Sequence, residues 1–373
     1  MELKKIVTFL LAAVVATSCR NADVTPIHPG TVVLPVKLKT KNESKPLRMS
    51  DIFEDVSYVY LDDSDGESLI GKISDIRITD GGIYVGDAFN NIVLQFDKSG
   101  KFIRSFSHHG RGRGEYVSMM GFDVCGRTGK VSIYDMATHR VCVYSPEDEF
   151  LYYVPIGDDV PRDFAVLDNG DYIFFTHDYM QGVKRGIWQV DSTGVFKRQI
   201  MTMDDDYLFN GGLFPRYFHH YGDQVYTSAT EYRNELYMIG ADTAFVAYQL
   251  DVDIKIPKSV RRNPVALMEN HIGSVYSIFN YMETETWMTV SLTDMEKQVV
   301  LFYDKKTKKC HYVETDDDIE YDVPNIGRMT TATKDAIIGV LTPDYIMAFK
   351  ALQNQFPTIS ENSNPVLAIC KTK

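Results

Sequence analysis

The chain has 373 residues, 51 of them acidic and 39 basic, for a formal net charge of −12 at pH 7. A hydrophobic share of 44% beside 24% charged residues excludes a disordered or fibrous chain, and the acidic balance argues against nucleic acid, whose phosphates call for concentrated Lys and Arg. Tyr (23) and Phe (20) far outnumber Trp (2), a ring content that suits pleated strands better than helices.

Residues 1–18 read as a secretory signal: Lys4 and Lys5 form a charged start, and Ile6–Ala16 is an apolar run of 11 residues. That run is too short for a membrane span, which takes ~20 helical residues. Val15-Ala16-Thr17-Ser18-Cys19 resembles the lipobox of bacterial lipoproteins, so Cys19 is the expected lipid attachment point. Arg20 follows it, not the Asp that resembles an inner-membrane retention signal. The expected address is therefore the outer membrane, on its periplasmic face rather than the cell surface. Residues 19–45 carry Pro, Thr and Asn without helical or strand periodicity and read as a tether, leaving 46–373 as a single domain.

Within that domain a unit recurs. Ile83–Asp97 is followed by Lys-Ser-Gly-Lys-Phe102, and 48 residues later Val131–Ser145 is followed by Pro-Glu-Asp-Glu-Phe150. Asp87 aligns with Asp135, Phe96 with Tyr144 and Phe102 with Phe150. A stretched third copy runs from Gly170 to Phe196, where Asp191-Ser-Thr-Gly-Val-Phe196 repeats Asp97-Lys-Ser-Gly-Lys-Phe102. Alternating strands separated by turns at intervals of roughly 40–60 residues point to propeller blades. Weaker copies follow at Gln224–Ile239, Trp287–Asp304 and Ala336–Leu341, which makes six. Ile346, Phe349 and Leu352 are spaced for a short helix near residues 343–355 that interrupts the last blade. That blade lacks an outer strand of its own, and Val56–Leu61 is the natural donor. The expected fold is thus all-β, a six-bladed propeller closed by an N-terminal strand.

Phe106-Ser-His-His-Gly-Arg-Gly-Arg-Gly-Glu-Tyr116, with Phe122-Asp-Val124 and Val131–Asp135 after it, resembles the inter-blade signature of NHL-type propellers. Gly110–Tyr116 is also similar to the G-x-G-x-G-E-[FY] stretch of six-bladed TolB-like propeller lipoproteins of Gram-negative bacteria, and Asn364-Pro-Val-Leu367 to their C-terminal ending. Arg113 stands where that pattern often has Pro. The resemblance implies the fold and carries over no catalytic residue.

Gly110–Gly114 is neither a phosphate-binding loop nor a dinucleotide fingerprint, since no Gly-Lys-[Ser/Thr] follows it and no strand–helix pair flanks it. Its glycines suit a steric corner, with Glu115 accepting backbone amides or pairing with Arg111 or Arg113. Asp87 and Asp135 are placed to bond turn amides. His108-His109 and His219-His220 are adjacent pairs whose side chains diverge on a strand, so no metal site and no cofactor is expected. Cys125, Cys142, Cys310 and Cys370 sit in apolar runs with no metal spacing and read as buried free thiols.

Loop extensions on a rigid scaffold are where function concentrates. The extended loop 176–184 and the Gly110–Tyr116 corner share one face of such a ring, which singles out Arg111, Arg113, His177, Asp178 and Tyr179 as ligand-binding candidates. The expected function is a lipid-anchored binding or scaffold module for a protein partner or a carbohydrate. The alternative is a polysaccharide-active propeller enzyme, a hydrolase or lyase.

Overall fold

Alternation of apolar residues at period two, punctuated by short polar turns, folds the chain into 27 strands and three short helices among the described residues of a computed structural model. Those residues are 27–35, 46–64, 66–176, 184–203, 216–227, 233–252, 277–293, 298–314 and 318–373, with 257 and 269. Three N-terminal strands come first: β1 (Ile27–Pro35), β2 (Leu47–Arg48) and, after the short helix α1 (Met49–Ile52), β3 (Phe53–Tyr60). Blade 1 is β4 (Ile73–Thr79), β5 (Gly82–Asp87), β6 (Ile92–Phe96) and β7 (Phe102–Phe106). Blade 2 is β8 (Met119–Val124), β9 (Val131–Asp135), β10 (Arg140–Tyr144) and β11 (Phe150–Pro155). Blade 3 is β12 (Asp163–Val166), β13 (Tyr172–Thr176), β14 (Gly186–Val190) and β15 (Phe196–Met201). Blade 4 is β16 (Phe218–Tyr221), β17 (Gln224–Thr227), β18 (Glu235–Ile239) and β19 (Ala244–Asp251). Blade 5 is β20 (Ser277–Glu283), β21 (Trp287–Thr293), β22 (Gln298–Asp304) and β23 (Lys309–Val313). After β24 (Ile319–Glu320), blade 6 comprises β25 (Arg328–Ala332), β26 (Ala336–Leu341), β27 (Val366–Thr372) and β3.

The ring closes as the sequence implies. β3 pairs antiparallel with β27, from Tyr60 opposite Val366 to Phe53 opposite Thr372. Asn364 locks the seam: its amide donates to the carbonyls of Asp62 (2.9 Å) and Ser68 (2.8 Å) and accepts from the Ile70 amide at 2.8 Å. No edge is left open between first and last blades. The core is six separate apolar slabs, one in each interface between neighbouring blades.

The repeated turn is one structure in three copies. Asp97 Oδ1 accepts from the Ser99 and Lys101 amides, and Asp191 Oδ1 from those of Thr193 and Val195. In blade 2 the hydroxyl of Ser145 takes the same role toward Glu147 and Glu149. Asp87 and Asp135 bond the turn amides that follow them, and each also reaches back to the chain entering its blade, Asp87 to Gly71 (2.6 Å) and Asp135 to Val117 (3.1 Å) and Ser118 (3.0 Å).

Two expectations change. Part of the expected tether is a strand: β1 lies parallel to β19 as a fifth strand of blade 4, and Leu34 is buried there. The eight-residue β19 offers an unpaired edge, and Thr31-Val-Val-Leu34 has the apolar content to cover it. The helix near 343–355 is two helices, α2 (Pro343–Ala348) and α3 (Lys350–Gln355), broken where Phe349 adopts an extended conformation. Cys125, Cys142 and Cys370 are buried free thiols as expected, and Cys310 is a free thiol only partly buried. Residues 1–26 and 36–45, with Cys19, lie outside the described residues.

Because strands alternate in direction, the first-to-second and third-to-fourth strand turns of every blade emerge on one face, the turn face. The blade-to-blade connections and second-to-third turns emerge on the other, the connection face.

Candidate functional site

Inner strands line the channel, and alternate residues on them face its axis. In this chain those positions carry ions. Asp75 and Arg77 come from β4, Asp123 from β8, Asp163 from β12 and His220 from β16, with Arg216 two residues before β16. Buried charges persist only when paired and hydrogen-bonded. Arg77 Nε lies 3.0 Å from Asp123 Oδ1, and His220 Nε2 lies 2.7 Å from Asp123 Oδ2. Arg216 Nη1 sits 3.2 Å from Asp75, 3.4 Å from Asp163 and 2.9 Å from the Phe122 carbonyl.

Two of the acids also stitch consecutive blades through backbone amides. Asp123 accepts from Val166 of blade 3 (2.7 Å), and Asp163 from Tyr217 (2.6 Å) and Phe218 (3.1 Å) at the entry to blade 4. Asp123 stays ionised: burial opposes its charge, and His220, Arg77 and Arg216 outweigh burial. Asp75 approaches Arg216 off the hydrogen-bonding direction, so its Oδ2 is buried without a hydrogen bond, and burial raises its carboxyl to about 6. Burial, with the field of Arg216 and of its neighbour, lowers His219 to about 3. Burial and Arg77 lower His220 to about 4, so both imidazoles are neutral at pH 7. The pair diverges as expected, His220 into the channel and His219 toward the Tyr281 ring (6.3 Å between centroids). No cluster of metal-ligating side chains occurs among the described residues.

Arg77 and His220 reach the turn face, where they floor a cavity of about 840 Å³. Its wall is apolar where blades 6 and 1 meet, at Val59, Ile83, Ile338 and Ile369. Its charged lining comprises Arg77, Lys98, Arg127, Lys334 and Lys371 against Asp55, Asp80, Asp168 and Asp335, five cations to four acids on a chain with a net charge of −12. Among the described residues no Phe, Tyr or Trp lines it. Arg127 is braced by the Asp168 carbonyl (2.7 Å), and burial together with Asp223 raises the Asp168 carboxyl. Near this face, between blades 4 and 5, the buried Glu283 is held by the hydroxyls of Tyr248 (2.9 Å) and Tyr281 and by the Lys305 ammonium.

The residues singled out from sequence lie elsewhere. Arg111 and Arg113 are exposed on the connection face, Arg113 with its guanidinium carbon 6.0 Å from the centre of the Phe150 ring. Glu115 accepts from the Gly112 amide (2.7 Å), the backbone option of the two considered. Gly110 (φ 147°) and Gly114 (φ 79°) hold left-handed backbone, and a side chain on Gly110 would strike the Glu115 carboxylate. His177, Asp178 and Tyr179 lie outside the described residues. The channel ions escaped sequence reading because their partners are remote: His220 and Asp123 are 97 positions apart. The available signal was one acid inside the inner strand of each of three successive blades.

Residues 31–371 match the model of a family described as a domain of unknown function, DUF4934, and the chain belongs to that family. Its fold is similar to that of a candidate exported protein from Bacteroides fragilis, at 17% identity and a TM-score of 0.74 over 92% of this chain and 100% of that one. A DUF4221 family member from Bacteroides vulgatus aligns at 10% identity and a TM-score of 0.48 over 86% of this chain and 97% of that one. No curated protein matches the chain in sequence.

Proposed function

We propose that this propeller is an exported, lipid-anchored binding module and that its turn-face mouth receives an extended acidic segment of a protein partner. One observation carries the reading: an apolar-walled cavity whose charged lining holds five cations to four acids on a chain of net charge −12. Such a local departure from the chain's acidic balance favours anionic groups at the mouth. The cavity lies within the range of ~300–1,000 Å³ typical of ligand sites. A lining without Phe, Tyr or Trp among the described residues gives sugar faces little to stack on, which favours peptide over glycan. The mutual pairing of the channel acids supports binding over catalysis. Neither His220–Asp123 nor His108–Asp148 has a serine or cysteine within hydrogen-bond reach among the described residues. The lipobox resemblance at Cys19 and the likeness to TolB-like lipoproteins support the anchored, periplasm-facing placement.

The test is a titration of the protein with alternating Glu–Val and Lys–Val decapeptides and with neutral and anionic oligosaccharides, analysing the sugars afterwards for cleavage. The Glu–Val peptide should bind and weaken severalfold between 50 and 300 mM salt (roughly the response of a partly screened charged contact). Binding of oligosaccharides alone would overturn the peptide reading, and any sugar cleavage would overturn the non-enzymatic one.

A further inference from the structure

The connection face holds a second cavity, about 410 Å³, in the interface between blades 5 and 6. Its origin is a pair of small side chains. β21 sends Trp287 into this interface at its turn-face start, and toward the connection face it offers only Thr289 and Ser291, buried at 1% and 4% exposure. The space left is walled by Met49, Met282 and Ile326. Thr289 Oγ1 is buried there without a hydrogen-bond partner. A buried hydroxyl left unsatisfied is destabilising, and nothing in the strand pairing requires one at this position. At the opening stands Arg328, exposed, with no ion pair among the described residues, and it also borders an adjoining cavity of about 420 Å³. Asn280, left-handed at φ 50° in a bulge of β20, lines both spaces.

We propose that this cavity is a binding site for a small aromatic carboxylate with a hydroxyl on its ring. The ring lies among Met49, Phe279, Met282 and Ile326. The hydroxyl at the buried end pairs with Thr289, and the carboxylate at the opening meets the Arg328 guanidinium. The site is separate from the turn-face mouth and does not depend on what binds there.

The experiment measures dissociation constants of the protein for 3-(4-hydroxyphenyl)propionate, 3-phenylpropionate and 3-phenylpropanol by ligand-observed NMR. The hydroxylated acid should bind tightest and the alcohol weakest. Arg328→Ala should weaken both acids about tenfold and leave the alcohol unchanged, the loss of one charge-assisted contact. Thr289→Val should bring the hydroxylated acid down to the level of 3-phenylpropionate while the melting temperature holds or rises, since an unsatisfied hydroxyl has been removed. Should Thr289→Val fail to fold, Thr289→Ser supplies the control that keeps the hydroxyl and the ligand order. No binding of any probe at millimolar concentration, or affinities indifferent to Arg328→Ala, would overturn the proposal and leave the cavity a water-filled packing gap.

Discussion

The two faces of the ring solve opposite problems with the same scaffold. Toward the turn face Asp123, Arg77 and His220 satisfy one another across blades, and five cations with four acids line an open mouth. On the connection face the chain is pinned by glycine corners and backbone hydrogen bonds around Gly110–Tyr116, and the charges there, Arg111 and Arg113, stand out in solvent. The lesson is that a charge's structural weight follows from its burial and its partners, not from how conspicuous its motif looks in sequence. Charges buried in the channel should therefore be expensive to remove, and those standing in solvent cheap.

The largest effect is expected at Asp123. Asp123→Ala strips Arg77, His220 and the Val166 amide of their shared acceptor. Leaving a buried guanidinium unpaired costs about 3–5 kcal/mol, readable as a large drop in the denaturation midpoint. A loss below 1 kcal/mol would break the comparison at its strongest point.

Acid comes next. His219 and His220 stay neutral in the folded chain down to about 3 and about 4, whereas unfolded histidines protonate near 6.5. Their stabilisation is complete above pH 6.5 and lost as pH falls. Asp75 acts in the opposite sense, because its folded carboxyl protonates near 6 and its unfolded one near 3.8, so acidification favours the folded form through that group. The histidines outweigh it, and stability should fall by about 2 kcal/mol between pH 7 and pH 5. In a His220→Gln variant the fall should shrink to about 0.5 kcal/mol, because Asp75 then offsets most of what His219 loses. A pH-independent midpoint over that range would contradict the assignment of neutral, buried histidines.

The rim supplies a control that touches neither face. Deleting the chain through Pro35 removes β1 and the buried Leu34, a side chain worth about 2 kcal/mol. The melting temperature should drop while affinity for mouth ligands stays unchanged. Smallest of all is Arg113→Ala, exposed beside Phe150, which should shift stability by less than about 0.5 kcal/mol.

Local signals made most of the scaffold legible. Asp97, Asp191 and the strand alternation are short-range, and so was the shortage of an outer strand in the last blade that identified β3. β1 was hidden because Pro29-Gly30 and Pro35 frame a run of only four residues, too short for its alternation to register. The channel was hidden for a different reason. Asp123, Arg77 and His220 come from three blades, and no window of sequence contains their pairing. The gap beside blade 5 was likewise visible only in the fold, since Thr289 and Ser291 are ordinary strand residues until the cavity they line is seen.

The central claim, that ligands enter at the turn face, is tested most directly by paired charge reversals. Lys334→Glu at the mouth and Arg113→Glu on the opposite face are both surface substitutions, and each is titrated with the Glu–Val decapeptide. Lys334→Glu should weaken binding about tenfold, roughly the 1.4 kcal/mol of reversing one partly screened contact, and Arg113→Glu should leave it within twofold. Affinity lost through Arg113→Glu and kept through Lys334→Glu would place the site on the connection face and contradict this account.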